Sequence, residues 1–312
     1  MNNDIPNIQA SPWQLRCLAA QRELYGEAKL VLTLRAALVI AGSLYAIATP
    51  ELSSYAVGGF ILLSLLDRFI FARWQEALAV EAATIEEMFD CEVLRMLWNE
   101  VKVGRKVDPE VITRHAARYE RRYRDPSYEK LVPWYPTSVR VVPLHIARLM
   151  CQRANCRWDS EQRRRYANYI LGILFAGGVV VLLVSIARKL TVEQLILHVV
   201  APLLPALMLG GEQYLAHKGA AERIGRLKTQ ADHLWEEALR GAASSELESK
   251  SRMLQDEIFE HRKGSPPVFD AIYRRFRSGL QEEMEQAVEA MIADWKQSQT
   301  KESENAELGR SS

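Results

Sequence analysis

Four long apolar runs constrain the fold of this chain more than any other feature. They occupy residues 30–49, 55–72, 169–187 and 195–211. A helix of about 20 residues crosses the hydrocarbon core of a bilayer, and backbone polar groups there must be satisfied within a helix or a closed barrel. We therefore predict an all-α integral membrane protein with four transmembrane helices in two hairpins and a helical cytoplasmic region.

A soluble bundle, in which the same runs are buried core helices, is the alternative. The run at 169–187 argues against it because this run carries no charged residue, whereas a core helix usually keeps a polar stripe. Overall composition does not decide, since 48% hydrophobic and 25% charged residues are ordinary values. The net charge of +1 gives no reason to expect DNA or RNA as a partner.

Basic residues predict the orientation of the spans. The connection between the first two runs has no Lys or Arg, and the connection between the last two has only Arg188 and Lys189. The segments that follow the second and fourth runs are rich in both residue types. The positive-inside bias therefore places both termini and the central segment in the cytoplasm. We expect no cleavable signal peptide, because the residues before position 30 are polar and charged.

These features divide the chain into seven segments. Asp108 and Pro109 form a helix-start signal in the central segment, and residues 159–162 resemble a capping box that would start the helix of the third span. In order, the segments are a cytoplasmic N-terminal helix (1–29), the first transmembrane hairpin (30–72), a cytoplasmic helical segment (73–168), the second hairpin (169–211), a cytoplasmic helical stalk (212–263), C-terminal helices (264–296) and a disordered polar tail (297–312).

Two apolar patterns in the C-terminal third predict packing faces. The stalk has heptad spacing, which is compatible with a coiled coil between subunits or with packing inside one chain. The C-terminal helices have one apolar face, which would dock on the cytoplasmic bundle or lie on the membrane. The two sets are Ile224, Leu227, Ala231, Leu234 and Ala238, and Leu280, Met284, Ala287, Val288, Met291, Ile292 and Trp295.

Four polar residues interrupt the apolar runs. They are Arg35, Asp67, Arg68 and His198. Arg35 and Asp67 lie at similar sequence distances from the turn of the first hairpin, so they should lie at similar depth. They would form a structural ion pair or reach the interface, or else line a polar conduction path. For His198, a hydrogen bond to a neighbouring helix and a role in proton transfer both remain open.

The central segment contains residue types that suit an anionic ligand with a nucleobase. Arginines donate to phosphates, aromatic rings stack on bases, and Asn and Asp side chains can read base edges. The alternative is a basic surface facing lipid headgroups, with the aromatic residues in the core or at the interface. The candidates are Arg121, Arg122, Arg124, Trp134, Tyr135, Asn155, Trp158 and Asp159.

No motif in the sequence predicts catalysis or a metal site. A nucleophile elbow, a Walker A loop, a zinc-protease helix and a dinucleotide-binding glycine turn are all missing, so we do not expect an enzyme, a catalytic residue or a cofactor. The cysteines form no CxxC pair, and free thiols are expected in a reducing compartment. They are Cys17, Cys91, Cys151 and Cys156.

Several short motifs, taken in order around the four runs, resemble one bacterial family. They begin before the first span and end at the start of the third. The motifs are the segment 21–25 with Ala28 and Lys29, Phe89 with Asp90, Trp98 with Asn99, residues 134–136, Gln152 and Arg153 with Asn155, Trp158 and Asp159, and Arg165 with Tyr166. In this order they resemble the SMODS-associating four-transmembrane effector family.

The resemblance implies an effector of an anti-phage system in the bacterial inner membrane. It would work with a nucleotidyltransferase that makes a cyclic oligonucleotide messenger, and it would disrupt or permeabilise the membrane as a homo-oligomer. The cyclic oligonucleotide is then the one ligand that we expect. A non-conducting receptor or scaffold that recruits a cytoplasmic partner through the C-terminal helices is the alternative. A small transporter is less favoured, because the hairpins show no sequence repeat.

Overall fold

The computed structural model describes residues 3–49 and 53–310, and this part of the chain contains helices and no β-strand. Shorter turns of π-helix and 3₁₀-helix interrupt or join the α-helices. In chain order the α-helices are α1 (Ile5–Gln9), α2 (Pro12–Ala48), α3 (Ser53–Leu66), α4 (Ala72–Val93), α5 (Glu100–Val103), α6 (Pro109–Tyr123), α7 (Leu144–Ala187), α8 (Val192–Leu195), α9 (Ala201–Leu239), α10 (Ser244–Lys263) and α11 (Asp270–Arg310).

Among the described residues, three continuous helices are long and apolar enough to cross a membrane: Pro12–Ala48, Leu144–Ala187 and Val192–Leu239. The second apolar run lies on α3 and continues through a π-turn, Asp67–Phe71, into α4. Large apolar side chains on these segments are open to the surroundings; Phe175, for example, is 75% exposed. Water would make such exposure costly, whereas a hydrocarbon environment does not. The exposed surface therefore supports the membrane prediction.

The second hairpin departs in one place from a regular α-helix. Residues 50–52, which carry the predicted turn of the first hairpin, lie outside the described residues. The fourth span contains a π-turn, Ile196–Val200, just before α9. Pro205 lies inside α9 without ending it. A π-turn accommodates backbone groups that a nearby proline leaves unpaired, so the prolines do not break the span.

All four spans continue beyond the apolar runs into one extramembrane bundle. Here α2 packs on α4 and α6, α7 packs along α9, and α10 lies against α4, α7 and α9. Phe89, Leu149 and Ile258 are among the buried side chains that form a shared core. Because burying a large apolar side chain stabilises by about 1.5–3 kcal/mol, this core ties the spans to each other outside the membrane.

The helix of the third span begins earlier than the sequence predicts. The predicted start at residues 159–162 is wrong, because α7 begins at Leu144, with Pro143 before it, and runs 44 residues to Ala187. Asp159 is an interior helix residue whose carboxylate pairs with other side chains instead of capping a helix. The start of α6 after Asp108 is confirmed. The third span therefore continues without a break into an extramembrane helix over residues 144–168.

The C-terminal third differs from the predicted stalk, helix pair and tail. The chain turns back at Gly241, whose φ of 81° favours glycine, so the predicted 212–263 stalk is the end of α9 followed by an antiparallel α10. The segment 264–296 holds one helix instead of a pair, because no proline follows Asp270. Residues 297–310 continue α11 instead of being disordered. Their Lys, Glu, Gln and Ala content favours a helix.

Both apolar patterns of the C-terminal third pack inside this chain. The stalk residues Ile224, Ala231, Leu234 and Ala238 are buried in the shared core, with Leu227 beside them. The apolar face of α11 also packs inside this chain, because its residues contact the same core. Those α11 residues are Met284, Val288, Met291, Ile292 and Trp295. The heptad spacing therefore describes intramolecular packing, and the α11 face docks on the bundle.

Candidate functional site: a buried polar core and a basic surface

Charged and amide side chains from four parts of the chain meet inside the extramembrane bundle. We call this set the polar core. Glu86, Glu87 and Asp90 come from α4 at positions that share one helix face, and α10 supplies polar residues among its apolar ones. Tyr135 and Gln152 complete the set. Its members are Glu86, Glu87, Asp90, Tyr135, Gln152, Ser251, Arg252, Gln255 and Arg262.

Asp90 is the centre of the polar core. Its carboxylate is fully buried and accepts hydrogen bonds from Tyr135 Oη at 2.7 Å, Gln255 Nε2 at 2.9 Å and Arg262 Nη1 at 2.6 Å. Arg262 also pairs through Nε with Glu86 at 3.2 Å. A buried carboxylate is tolerated only when it is paired and hydrogen-bonded. Asp90 therefore holds α10 and the Tyr135 loop to α4.

A second part of the polar core joins α10 to both α4 and α7. Arg252 Nη2 donates to Glu87 at 2.6 Å, and Gln255 Nε2 donates to the other Glu87 oxygen at 2.8 Å. Gln152 on α7 donates to Gln255 Oε1 at 3.0 Å and accepts from Ser251 Oγ at 2.8 Å. Movement of α10 would break these bonds together, because the Gln255 amide has partners on both α4 and α7.

Burial perturbs the protonation of the polar core. It raises the pKa of Glu86 to about 7, with Arg262 opposing the shift and Asp90 adding to it. Burial and the neighbouring Asp90 also raise the pKa of Glu87. The pKa of Arg262 is raised because Asp90 and Glu86 outweigh the effect of its own burial. Three carboxylates thus share two arginines, and burial brings the pKa of Glu86 close to neutral.

Asp159 connects α7 to the loop after α10. His261 Nε2 lies 2.7 Å from Asp159 Oδ2, and Arg163 Nε donates to the same oxygen at 2.8 Å. Arg163 Nη1 also donates to the Pro266 carbonyl at 2.8 Å. Burial would raise the pKa of Asp159, but Arg163 and His261 outweigh it, and the pKa is lowered. Asp159 is therefore a charged anchor for α10.

A further cluster fastens α11 close to the first span. Asp270, at the start of α11, accepts from Lys29 Nζ at 2.6 Å and from Arg22 Nη2 at 3.3 Å. Tyr123 Oη donates to its second oxygen at 3.3 Å. Although burial opposes it, Lys29 and Arg22 lower the pKa of Asp270. We call Asp270, Lys29, Arg22 and Tyr123 the Asp270 cluster.

The structure separates the predicted aromatic ligands. Tyr135 is 2% exposed, and its ring stacks with Phe89. Trp134 makes an edge contact with the same Phe89 ring at 6.0 Å. The prediction that this pair stacks on a base is therefore wrong for Tyr135, whose hydroxyl belongs to the polar core. Trp158 lies near Tyr273 of α11, with ring centres 6.5 Å apart.

The two predicted base-reading residues also lie on α7. Asn155 is partly buried. Asp159 uses its carboxylate in the pairs with Arg163 and His261, so it has no free role in reading a base edge. Trp134 and Tyr135 thus pack against the core of the bundle, and Trp158 lies beside α11. The candidate arginines lie at the end of α6 instead.

The three candidate arginines lie together on a surface at the end of α6. Arg121, Arg122 and Arg124 are exposed. Arg122 Nη2 pairs with the buried Glu23 of α2 at 3.2 Å, and Arg118 Nη1 pairs with Glu27 at 2.8 Å. Glu23 Oε2 has no hydrogen-bond partner in the described chain, and its burial raises the pKa of this carboxyl.

The same residues surround a shallow depression. It has a volume of about 580 Å³ and is lined by Glu23, Glu27, Arg118, Arg121 and Arg122. A phosphate placed there would compete with the two glutamates for the arginines. Such a ligand would change the pairing between α6 and α2, the helix of the first span.

The intramembrane polar residues have different environments. Arg35 Nη2 donates to Asp67 Oδ2 at 2.8 Å, and Arg35 Nη1 donates to Gln75 Oε1 at 2.9 Å. The structure thus forms the ion pair that spacing predicts within the first hairpin. The side chain of Arg68 lies outside the described residues. His198 is exposed on the π-turn of the fourth span.

Several important residues were not predicted from the sequence. Arg252, Gln255, His261 and Arg262 occupy the buried face of α10. The detectable signal is spacing, because Ser251, Gln255 and Arg262 recur on the same helical face as Leu247, Leu254 and Ile258. Polar residues at core positions of an amphipathic helix indicate a buried network.

His217 of α9 was also missed. It is fully buried, neither ring nitrogen has a hydrogen-bond partner in the described chain, and its ring contacts Tyr166 edge-on at 4.2 Å. Burial, followed by the charge of Arg163, lowers its pKa to about 3. His217 is therefore neutral at physiological pH. In the described chain no group of three or more His, Cys, Asp or Glu residues is placed to hold a metal.

The fold and the polar core define a class of protein: a helical membrane protein whose spans extend into an internally paired extramembrane bundle. The family model of the SMODS-associating 4TM effector domain matches residues 3–291. The chain therefore belongs to this family, and it has four transmembrane helices in two hairpins. The sequence resemblance is confirmed.

One curated relative is similar to part of this chain. A Bacillus cereus (strain VD146) protein named a probable CBASS effector molecule is 23% identical over 204 residues. That match covers 64% of this chain and 61% of the relative's length. No solved structure matches this chain.

Proposed function

We propose that this protein is a gated membrane effector that permeabilises the bacterial inner membrane when it binds a cyclic oligonucleotide messenger. The messenger would come from a partner nucleotidyltransferase, and growth arrest or cell death would follow. In this proposal the termini face the cytoplasm and the active form is a homo-oligomer. The protein acts without catalysis.

The observation that carries the proposal is the way one arm of the chain holds the extensions of the spans. We call α10 and α11 the C-terminal arm. Its Arg262 pairs with α4, its His261 pairs with Asp159 of α7, and its Asp270 pairs with Lys29 of α2. Because α2 and α7 enter the membrane without a helix break, and α4 continues into it through the π-turn Asp67–Phe71, the arm is a mechanical link between three spans.

Gating requires a ligand that binds one arrangement of this link better than another. The arginine surface at the end of α6 is well placed for such a ligand. Arg122 pairs with Glu23, and Tyr123 belongs to the Asp270 cluster. A phosphate that draws Arg122 away from Glu23 would disturb α6 beside the contact between α11 and the first span. The messenger would thereby shift the population towards a loosened arm.

Alanine at Arg121, Arg122 and Arg124 together tests this site. We expect the triple variant to insert normally but to lose toxicity when the messenger is produced. The matched control is alanine at Arg105 and Arg140, which are exposed elsewhere on the extramembrane bundle, and it should stay toxic. Full toxicity of a stably inserted triple variant would contradict the assignment of the ligand site.

The scaffold alternative needs the C-terminal helices to be free for a partner. Here the apolar face of α11 packs on the chain's own core, which favours an internal role for the arm.

A further inference from the structure

The start of α11 lies beside the membrane although it is remote from every span in sequence. Asp270 pairs with Lys29, which directly precedes the first apolar run. Further along α11, Glu283 pairs with Arg165 at 3.3 Å, and the Arg165 guanidinium lies 5.4 Å from the centre of the Phe276 ring. Arg165 precedes the third run by one helical turn. Residues 270–283 therefore lie at the depth where two spans enter the hydrocarbon.

Within this part of α11, positive charge is concentrated at residues 274–277, ahead of Glu282 and Glu283. Arg274 and Arg275 are exposed, and Arg277 is partly exposed. No ion pair joins these three arginines to another described side chain. Arg274 is close enough to Lys29 for the two charges to interact. The positive charge of Arg274 thus lies near Lys29, which directly precedes the first span.

Aromatic contacts fix this segment on the bundle. The Tyr273 ring lies 4.5 Å from the Arg22 guanidinium of α2 and 6.5 Å from the Trp158 ring of α7. Phe276 lies beside Arg165 of the same α7. These contacts hold one side of the helix against α2 and α7. The arginines at 274 and 275 remain on the exposed side.

We propose that residues 270–283 form a surface that binds the anionic phospholipid headgroups of the adjoining leaflet. We call this segment the α11 collar. Guanidinium groups bind phosphate oxygens through paired hydrogen bonds, and clusters of basic residues beside spans are attracted to anionic lipids. The four-span topology supports this inference, which does not depend on the messenger or on gating.

Site-specific fluorescence in the full chain tests the collar. The four native cysteines are buried, so a thiol dye should label only an introduced cysteine. S278C places the dye on an exposed position of the collar, and S249C places it on an exposed position of α10. Arg148, which pairs with Glu248 next to Ser249, precedes the third run by about 30 Å of helix. S249C is therefore the control far from the membrane.

Both labelled proteins would be placed in nanodiscs of phosphatidylcholine, with or without phosphatidylglycerol, that carry a headgroup quencher. We expect quenching at position 278 to increase about twofold or more when phosphatidylglycerol is present, and to weaken with salt, as a polybasic surface requires. Position 249 should stay unquenched in both lipids. Equal quenching at 278 with and without phosphatidylglycerol would overturn the proposal.

Charge reversal provides a second test of the α11 collar. R274E/R275E in the S278C protein should abolish the response to phosphatidylglycerol, whereas R105E/K106E, with the same change in charge on an exposed loop, should retain it. Inorganic phosphate at constant ionic strength should not remove the lipid response. If phosphate does remove it, the collar binds soluble anions and the lipid assignment is wrong.

Discussion

Replacing Arg262 with methionine should loosen the C-terminal arm from the rest of the bundle. Methionine keeps an unbranched apolar stem but carries no charge, so it removes the partner of two buried carboxylates while keeping the packing of the stem. Arg262 Nη1 is 2.6 Å from Asp90, and Arg262 Nε is 3.2 Å from Glu86. The Asp90 side chain is fully buried. The variant therefore leaves a buried charge without its cation.

The contacts around Arg262 determine how much stability the variant loses. Removing one partner of a buried ion pair costs about 3–5 kcal/mol. Asp90 keeps hydrogen bonds from Tyr135 and Gln255, and Glu86, whose pKa is about 7, can take up a proton. We therefore expect the free energy of unfolding to fall by an amount at the lower end of this range, about 3 kcal/mol. For a domain of this size, that corresponds to a fall of about 6–12 °C in the unfolding midpoint.

Thermal unfolding of the purified protein in detergent, followed by tryptophan fluorescence, measures this fall. Lys263→Met is the matched control, because Lys263 pairs with Glu260 at the surface with both side chains more than a third exposed. Such pairs contribute about 0–1 kcal/mol. Asp90→Asn added to Arg262→Met should recover part of the loss. Equal midpoints for Arg262→Met and Lys263→Met would refute the role assigned to the polar core.

Two further predictions concern single carboxylates. Burial raises the pKa of Glu86 from 4.5 to about 7, so the folded state binds a proton that the unfolded chain releases. This group then makes the protein about 2 kcal/mol more stable at pH 5.5 than at pH 7.5. E86Q should remove that part of the pH dependence of the midpoint; an unchanged pH profile would contradict it. In the first hairpin, D67N leaves Arg35 without its carboxylate and should lower the yield of inserted protein, because an unpaired charge in the membrane is costly. R35Q/D67N should restore the yield, and no difference between single and double variants would argue against the ion pair.

The membrane part of the fold can be predicted from the sequence because one physical property determines it. Long apolar runs must be helical in lipid, so 169–187 and its neighbours indicate spans without any tertiary information. The start of α6 is equally local, since Asp108 and Pro109 are a cap and a first-turn proline. The start of α7 is different. Asp159 looks like a cap in sequence but is an interior residue that pairs with His261, 102 positions away.

The polar core could be predicted only in part. Asp90, Tyr135 and Gln152 belong to the short motifs that indicate the family, yet those motifs do not show that the residues contact α10. Arg262 lies 172 positions from Asp90, and nothing local to either residue encodes that pairing. The sequence indicates ligand candidates only by residue type. Residue type does not distinguish a buried tyrosine, such as Tyr135, from an exposed one that could stack on a base.

The α11 collar shows the same limit. Arg274 and Arg275 lie far from any apolar run, so their sequence position gives no reason to place them at the membrane. Only the pairs of Asp270 with Lys29 and of Glu283 with Arg165 bring the segment there.

The most direct test of the central claim is the membrane potential of bacteria that express this protein. A voltage-sensitive dye would be followed with and without activation of the partner nucleotidyltransferase, after insertion has been confirmed. A gated membrane effector predicts rapid depolarisation that requires both proteins. A steady potential despite confirmed insertion and messenger production would contradict the account and favour a non-conducting receptor.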